Sequence, residues 1–323
     1  MIISRTPVRI SLFGGGTDFY DYYSIHTGRV LSSTINKYIY VILNSRFDNQ
    51  IVINYYEKEI VNSVNDIKHS LVREALHKTG IKNAIEITII TDIPSEGSGL
   101  GSSSSLTVGL LNAMYTYLGI KVNAETLASE ACDIEINRCH KPIGKQDQYI
   151  SAFGGLCDIV FNKDDTVQVN KLIISKEQIL NLNSKLLLFY TGLTRKSELI
   201  LSEQRSNISN KVNQLHNLKN FINDAIESIY QVDSNLIGYL LKQTWELKKQ
   251  LSSNISNELL DKMYSQAMEA GAIGGKILGA GGGGFLLTFV KNEDKDTLRK
   301  TMVGFKELEF DFEPEGSKII LKL

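Results

Sequence analysis

The chain has 323 residues, 42% hydrophobic and 22% charged, enough for roughly two domains with their own cores and too apolar for long disorder. Its 35 Lys and Arg nearly cancel its 36 Asp and Glu, for a net charge of −1, so no global field attracts nucleic acid or an anionic membrane. Any anion has to be held locally. The apolar runs of MIISRTPVRISLF are too short for a secretory leader and no apolar stretch approaches ~20 residues, so a cytoplasmic protein is expected. Three cysteines (Cys132, Cys139, Cys157) without a CxxC pair read as small core residues, and the five histidines lack metal-ligand spacing.

In chain order, TPVRISLFGGGTDFYDYY places a strand before Gly14, Gly15 and Gly16. Arg9 is the odd member of that strand. A buried arginine needs a carboxylate or a ligand anion to meet its planar fork, so Arg9 is either salt-bridged structure or a ligand contact. The three glycines let Thr17 and Asp18 approach a ligand, and a fixed carboxylate suits sugar hydroxyls; equally, Asp18 could cap the next segment. Residues 30–53 predict two antiparallel strands joined near residues 47–50, and residues 67–78 an amphipathic helix closed by Gly80.

The next stretch, IEITIITDIPSEGSGLGSSSSLTVGLLNAMYTYL, changes character three times. Ile85, Ile87 and Ile89 alternate like a strand, Pro94 ends it, and Gly97, Gly99 and Gly101 permit a tight turn. Leu106, Leu110, Leu111, Met114 and Leu118 then recur at helical spacing. Strand, glycine loop and helix amino end in that order predict a phosphate cradle, since helix amides and the positive end of the dipole converge there. An ordinary surface turn has the same composition. A Walker A loop is excluded, because no lysine follows Gly101. The GAGGGG match to GxGxxG precedes a strand-like FLLTFV and not the helix that a dinucleotide site needs.

Asn123 offers an N-cap, and Leu127, Ala131 and Ile134 mark a buried stripe from which Glu135 projects, with room beside it among small residues. That carboxylate could hold magnesium or be an exposed helix residue. Pro142 and Gly144 break the helix, and Asp147 opens the next segment as a cap or a catalytic carboxylate. A second domain is expected to begin near Lys185 with KLLLFYTGL, followed by two helices over residues 198–250, with Trp245 in the core. A third follows over residues 258–270, then the polyglycine turn, a short helix near residues 296–302, and two terminal strands, LEFDF and KIILKL.

Together TPVRISLFGGGTD, PSEGSGLGSSSS, the segment from Glu135 to GKQDQY, and KILGAGGGGF resemble, in order and over nearly the whole length, the motifs of the GHMP kinases. That superfamily includes galactokinase, homoserine kinase, mevalonate kinase and phosphomevalonate kinase. The resemblance implies an α+β fold of two domains: residues 1–184 like ribosomal protein S5 domain 2, and residues 185–323 a ferredoxin-like sandwich. It implies ATP and Mg²⁺. Gly97, Ser98, Gly99, Leu100, Gly101, Ser102, Ser103 and Ser104 would wrap the triphosphate, Ser103 and Glu135 would hold the metal, and Asp147 would face the acceptor hydroxyl with Arg9 beside the transferred phosphate. On the acceptor side it implies Gly15, Gly16, Thr17, Asp18 and Gln148, with Asp18 matching the sugar-binding aspartate of galactokinase-like members. Arg195 and Lys196, beside a helix amino end, are either the anchor for a phosphate already on the substrate or solvated surface charges.

Galactokinases carry an acidic residue and a histidine where this chain has Gly15 and Gly16, which counts against galactose. FGGGTD resembles instead the branch that phosphorylates heptose 7-phosphate at C1, with its fucokinase-like relatives. The expectation is therefore a kinase acting on the anomeric hydroxyl of D-glycero-D-manno-heptose 7-phosphate. The alternatives are an unphosphorylated sugar, or a sugar and nucleotide sensor without catalysis. A monomer or homodimer is expected.

Overall fold

The structure, a computed structural model, describes residues 1–94, 97–194 and 197–323. Strands β1 (Ile2–Phe13) and β2 (Gly28–Ser45) pair antiparallel along their length and frame the first sheet. β3 (Ile51–Asn54), β4 (Lys58–Val61) and β5 (Ile85–Thr91) extend it to one side, and β6 (Leu156–Phe161) and β7 (Val167–Lys171) continue it from the other end of β2. At 18 residues, β2 is long enough to serve two neighbours in turn: its first six residues pair with β6 and its last seven with β5.

Helix α1 (Tyr20–His26) follows β1, and α2 (Ser70–Thr79) lies between β4 and β5. β2 and β3 do not pair as the sequence suggested. β5 lies between them, antiparallel to β2 and parallel to β3. A parallel neighbour needs a long crossover, and β4 with α2 provides it; alternation alone cannot say which strands become neighbours. Gly80 closes α2 in the left-handed conformation, as expected.

Helix α3 (Ser102–Tyr117) packs on β1 and β2, with α4 (Ala124–Cys132) and α5 (Gln146–Phe153) beside it. Asn123 caps α4 by accepting from the Thr126 amide. α6 (Lys176–Ser184) leads to the second sheet, in which β8 (Leu186–Tyr190), β9 (Ala272–Ile277) and β10 (Phe285–Val290) run antiparallel in the order β8-β10-β9. Between β8 and β9 come α7 (Ser197–Ser206), α8 (Val212–Gln231), α9 (Ser234–Lys248) and α10 (Glu258–Glu269). Residues 198–250 thus hold three helices where two were expected. The extra break falls at a single 3₁₀ turn (Ile208–Asn210), pinned because Ile208 is buried.

After α11 (Lys295–Thr301) the chain returns, and β11 (Lys318–Lys322) pairs with β1, so the last strand belongs to the first sheet. LEFDF is not a strand, contrary to expectation. Its neighbourhood forms two isolated bridges, Glu307 to Phe189 in the second sheet and Phe312 to Ile35 in the first, and so links the two sheets without extending either. The core is continuous across them: Val8 and Leu110 share one apolar cluster with Ile222 and Phe289. Trp245 centres a second, fully buried. Cys132 and Cys157 are buried and Cys139 half-buried.

Candidate active site

The amino end of α3 is where the chemistry-bearing residues meet. Gly97, Gly99 and Gly101 all have positive φ, +66°, +72° and +76°, a conformation that is costly for other residues. α3 starts on Gly101, which offers no side-chain cap, and a helix start of this kind suits an anion. The polyglycine turn after β9 closes on the loop from the second sheet. A Cβ on Gly99 would stand 2.7 Å from the Leu278 carbonyl oxygen, and one on Gly279 would stand 2.5 Å from the Gly99 Cα, so two backbones touch where no side chain would fit. Lys248, buried at the end of α9, donates to the carbonyls of Ile277 (2.8 Å) and Gly279 (2.6 Å) and so fixes that turn.

Arg9 meets a carboxylate. Its Nε and Nη2 donate to the two oxygens of Asp147 at 2.8 and 2.6 Å, and its Nη1 donates to the Gly99 carbonyl at 2.5 Å. Arg9 is 3% exposed, and this two-pronged pairing compensates its burial. Asp147 sits in the first turn of α5, and a Cβ on Gly101 would lie 3.1 Å from its Oδ2. The carboxylate therefore stands directly at the mouth of the loop. Ser105 and Ser151 share a hydrogen bond of 2.9 Å that ties α3 to α5 and keeps this register.

Glu135 differs from the expectation of open space. After α4 the helix widens into a π-helical turn (Asp133–Arg138), a distortion that accompanies functional sites, and turns the Glu135 carboxylate fully inward. Its Oε1 accepts from Ser103 Oγ (2.5 Å) and Lys141 Nζ (3.2 Å), and its Oε2 from Ser104 Oγ (2.6 Å) and Gln148 Nε2 (2.6 Å). Gln148, expected beside the substrate, is fully buried next to Asp147 in the first turn of α5 and donates its amide to Glu135.

The acceptor loop is similarly turned inward. Thr17 is fully buried, its Oγ1 within 2.8 Å of the Gly14 carbonyl and 2.7 Å of the Arg29 carbonyl while accepting from the Arg29 amide, so it braces the loop and presents nothing to a ligand. Asp18, 2% exposed, accepts from the amides of Gly16 (3.0 Å) and Gln146 (3.3 Å) and so clasps this loop to the start of α5, next to Asp147. Burial, and then the nearby Asp147 charge, push the Asp18 carboxyl up from its ordinary range. Gly16 is covered, since a Cβ there would meet Gln204 Nε2 at 2.6 Å. Gly15 is open: among the described residues a Cβ would find only Ser11 Oγ at 3.5 Å and Gln146 Nε2 at 3.9 Å. Arg195 and Lys196 lie outside the described residues.

Sequence reasoning missed Lys141, Lys248 and Lys276. The signal that marked Arg9, a cation inside an apolar strand, also marks Lys276 in β9. Its Nζ donates to the Leu12 carbonyl at 3.0 Å, and burial, with Arg9 second, pushes its ammonium down to about 7. Burial first, and then Lys276 and Arg9, push Lys248 well below its ordinary range. Two buried lysine amines thus lie within electrostatic range of Arg9. Among the described residues, Ser11 Oγ and Gln146 Oε1, both near Gly15, are buried without a partner.

A helix start against two glycine turns, with the Arg9-held Asp147 carboxylate at its mouth, suits phosphoryl transfer to an alcohol acceptor. Family models for the GHMP kinases N terminal domain and the GHMP kinases C terminal match residues 65–155 and 225–302. The chain belongs to the GHMP kinases, whose phosphate donor is ATP. It is 32% identical, over 98% of both chains, to the D-glycero-alpha-D-manno-heptose 7-phosphate kinase of Campylobacter jejuni. It is 26% identical, over 90% of its own length, to the L-fucokinase/L-fucose-1-P guanylyltransferase of Bacteroides fragilis, of which it spans 35%. The crystal structure of a D-glycero-D-manno-heptose 1-phosphate kinase from Bacteroides thetaiotaomicron superposes over 100% of both chains with a TM-score of 0.85 at 25% identity. Among the described residues no helix is long and apolar enough to cross a membrane.

Proposed function

We propose that the protein transfers the γ-phosphoryl group of ATP to the anomeric hydroxyl of a heptose 7-phosphate, D-glycero-D-manno-heptose 7-phosphate being the best fit. The observation that carries the reaction type is Asp147, held by the Arg9 fork at the mouth of the glycine loop. An acceptor hydroxyl resting on that carboxylate would face a phosphoryl group cradled by α3. Phosphoryl transfer asks mainly for in-line positioning and charge stabilisation. Both Asp147 oxygens keep a lone pair beyond the Arg9 bonds, so the carboxylate can take the hydroxyl proton while the guanidinium offsets charge on the moving group.

Ser103 and Glu135 fit Mg²⁺. Their donors are all oxygen, as a hard cation prefers, and a cationic ammonium already rests against both. When bound, Mg²⁺ would neutralise phosphate oxygens. Arg195 and Lys196 are the proposed anchor for the 7-phosphate, and Arg195→Ala should raise KM for the phosphosugar and leave that for ATP unchanged.

The heptose assignment draws on the named relatives and on the open Gly15 with unpartnered polar atoms around it. A coupled ADP-release assay with heptose 7-phosphate, heptose 1-phosphate, free heptose and L-fucose tests it. Turnover with the 7-phosphate at a kcat/KM well above the others is expected; a preference for fucose would replace the assignment with the fucokinase-like reading. Binding without ADP release would indicate a sensor.

A further inference from the structure

Glu135 has no exposed surface, and one of its oxygens is already saturated by Ser104 and Gln148. The remaining face, Oε1 together with the Ser103 hydroxyl, is covered by Lys141, whose Nζ lies 2.5 Å from Ser103 Oγ and 3.2 Å from Glu135 Oε1. A buried carboxylate without a counter-charge is expensive, so the free protein needs a cation at this point, and Lys141 supplies it. These are the same two oxygens that the proposed divalent site requires. An ammonium and a dication cannot occupy one pair of oxygens, since their repulsion is barely screened inside the protein.

The local backbone suits a side chain that comes and goes. The Lys141 amide donates to the Glu135 carbonyl at 2.9 Å, which anchors the main chain at the end of the π turn. His140 just before it has a φ of +53°, an unusual value for a residue with a side chain, and this corner folds Lys141 back over Glu135. The Lys141 side chain remains 18% exposed, so its flexible stem has a path to solvent without any change in the backbone.

We propose that Lys141 is a resident cation: it occupies the divalent position of the free protein and must be displaced before a metal ion can bind, so that the metal enters efficiently only with the polyphosphate that attracts it. This rests on the reading of Ser103 and Glu135 as metal ligands. Lys141 acts through Glu135 and is a positioning residue, not one that touches the reacting atoms.

The test is direct Mn²⁺ binding to the full chain, followed by the electron paramagnetic resonance signal of the free ion, with and without a non-hydrolysable ATP analogue. Without nucleotide, wild type and Lys141→Arg should bind Mn²⁺ weakly, whereas Lys141→Met and Lys141→Gln should bind at least about tenfold more tightly. Adding Glu135→Gln to Lys141→Met should remove that gain. Thermal melts show which variants are folded, and either neutral substitution suffices. Equal affinity of wild type and both neutral variants without nucleotide, with Glu135-dependent Mn²⁺ in the nucleotide complex, would overturn the role of Lys141 and leave the metal site standing. Mn²⁺ binding in the nucleotide complex that ignores Glu135→Gln would overturn both.

Discussion

Residues 14–16, directly after β1, and residues 97–101, a few positions beyond β5, are both glycine-rich, yet the residues that follow them behave oppositely. After the first run, Thr17 and Asp18 turn inward and bond to backbone, Thr17 to Gly14 and Arg29, Asp18 to Gly16 and Gln146. After the second, a helix of 16 residues begins on Gly101, which makes no side-chain cap, so the positive end of the dipole lies at the loop. Glycine content marks where a chain bends and where backbones approach. Whether the bend becomes a binding surface depends on what satisfies its polar groups. The first loop braces the start of the helix that carries Asp147, and the second lies directly against the Asp147 carboxylate.

The comparison breaks most clearly at the residue between the loops. Asp147→Asn should lower kcat by about a hundred- to ten-thousand-fold, with ATP affinity by calorimetry nearly unchanged; a variant retaining most of its turnover would remove the proton acceptor from the mechanism. In the cradle, Gly99→Ala combines a positive φ with a Cβ 2.7 Å from the Leu278 carbonyl oxygen. The backbone conformation alone costs about 1–2 kcal/mol, and we expect KM for ATP to rise by about tenfold or more. Gly15→Ala is the paired control: among the described residues it meets nothing closer than 3.5 Å, so it should fold normally and alter only acceptor kinetics. Equal KM changes for ATP in both variants would erase the distinction between the loops.

In the brace, Thr17→Val takes the side-chain acceptor from the part-buried Arg29 amide, at a cost of about 1–3 kcal/mol. The urea midpoint should fall while kcat changes less than about threefold; a collapse of KM for the sugar alone would instead make Thr17 a ligand contact. The smallest effect concerns Lys276. Its folded pKa, about 7, lies below the ordinary 10.5, so between these values the unfolded chain binds more protons and stability rises with pH. Below about pH 7 the penalty is fully present. Lys276→Met should therefore flatten the rise in urea midpoint between pH 7 and 9, and an unchanged slope would show that Lys276 is not desolvated as its position implies.

Much of the site was legible because its signals are local. The strand, glycine loop and helix around residues 85–118 follow from periodicity and from the conformations that only glycine adopts cheaply. Arg9 stood out as a charge in an apolar strand, and its carboxylate partner is Asp147, 138 residues away. The failures are partner assignments. Glu135 looked open because its own helix carries small neighbours, but Ser103, Ser104, Lys141 and Gln148 arrive from elsewhere to enclose it. Gln148 was expected on the acceptor side with Asp147, but it is buried and donates to Glu135.

The sequence by itself determined where this chain bends, where it is helical and which residues carry charge into apolar surroundings, since those properties depend on neighbours within a few positions. Only the tertiary structure decided that β5 lies between β2 and β3, that β11 closes the first sheet beside β1, and that Lys141 rests on the carboxylate of Glu135. Those outcomes turn on which distant groups meet and leave no charge or amide unpaired, and a one-dimensional pattern carries no record of such meetings.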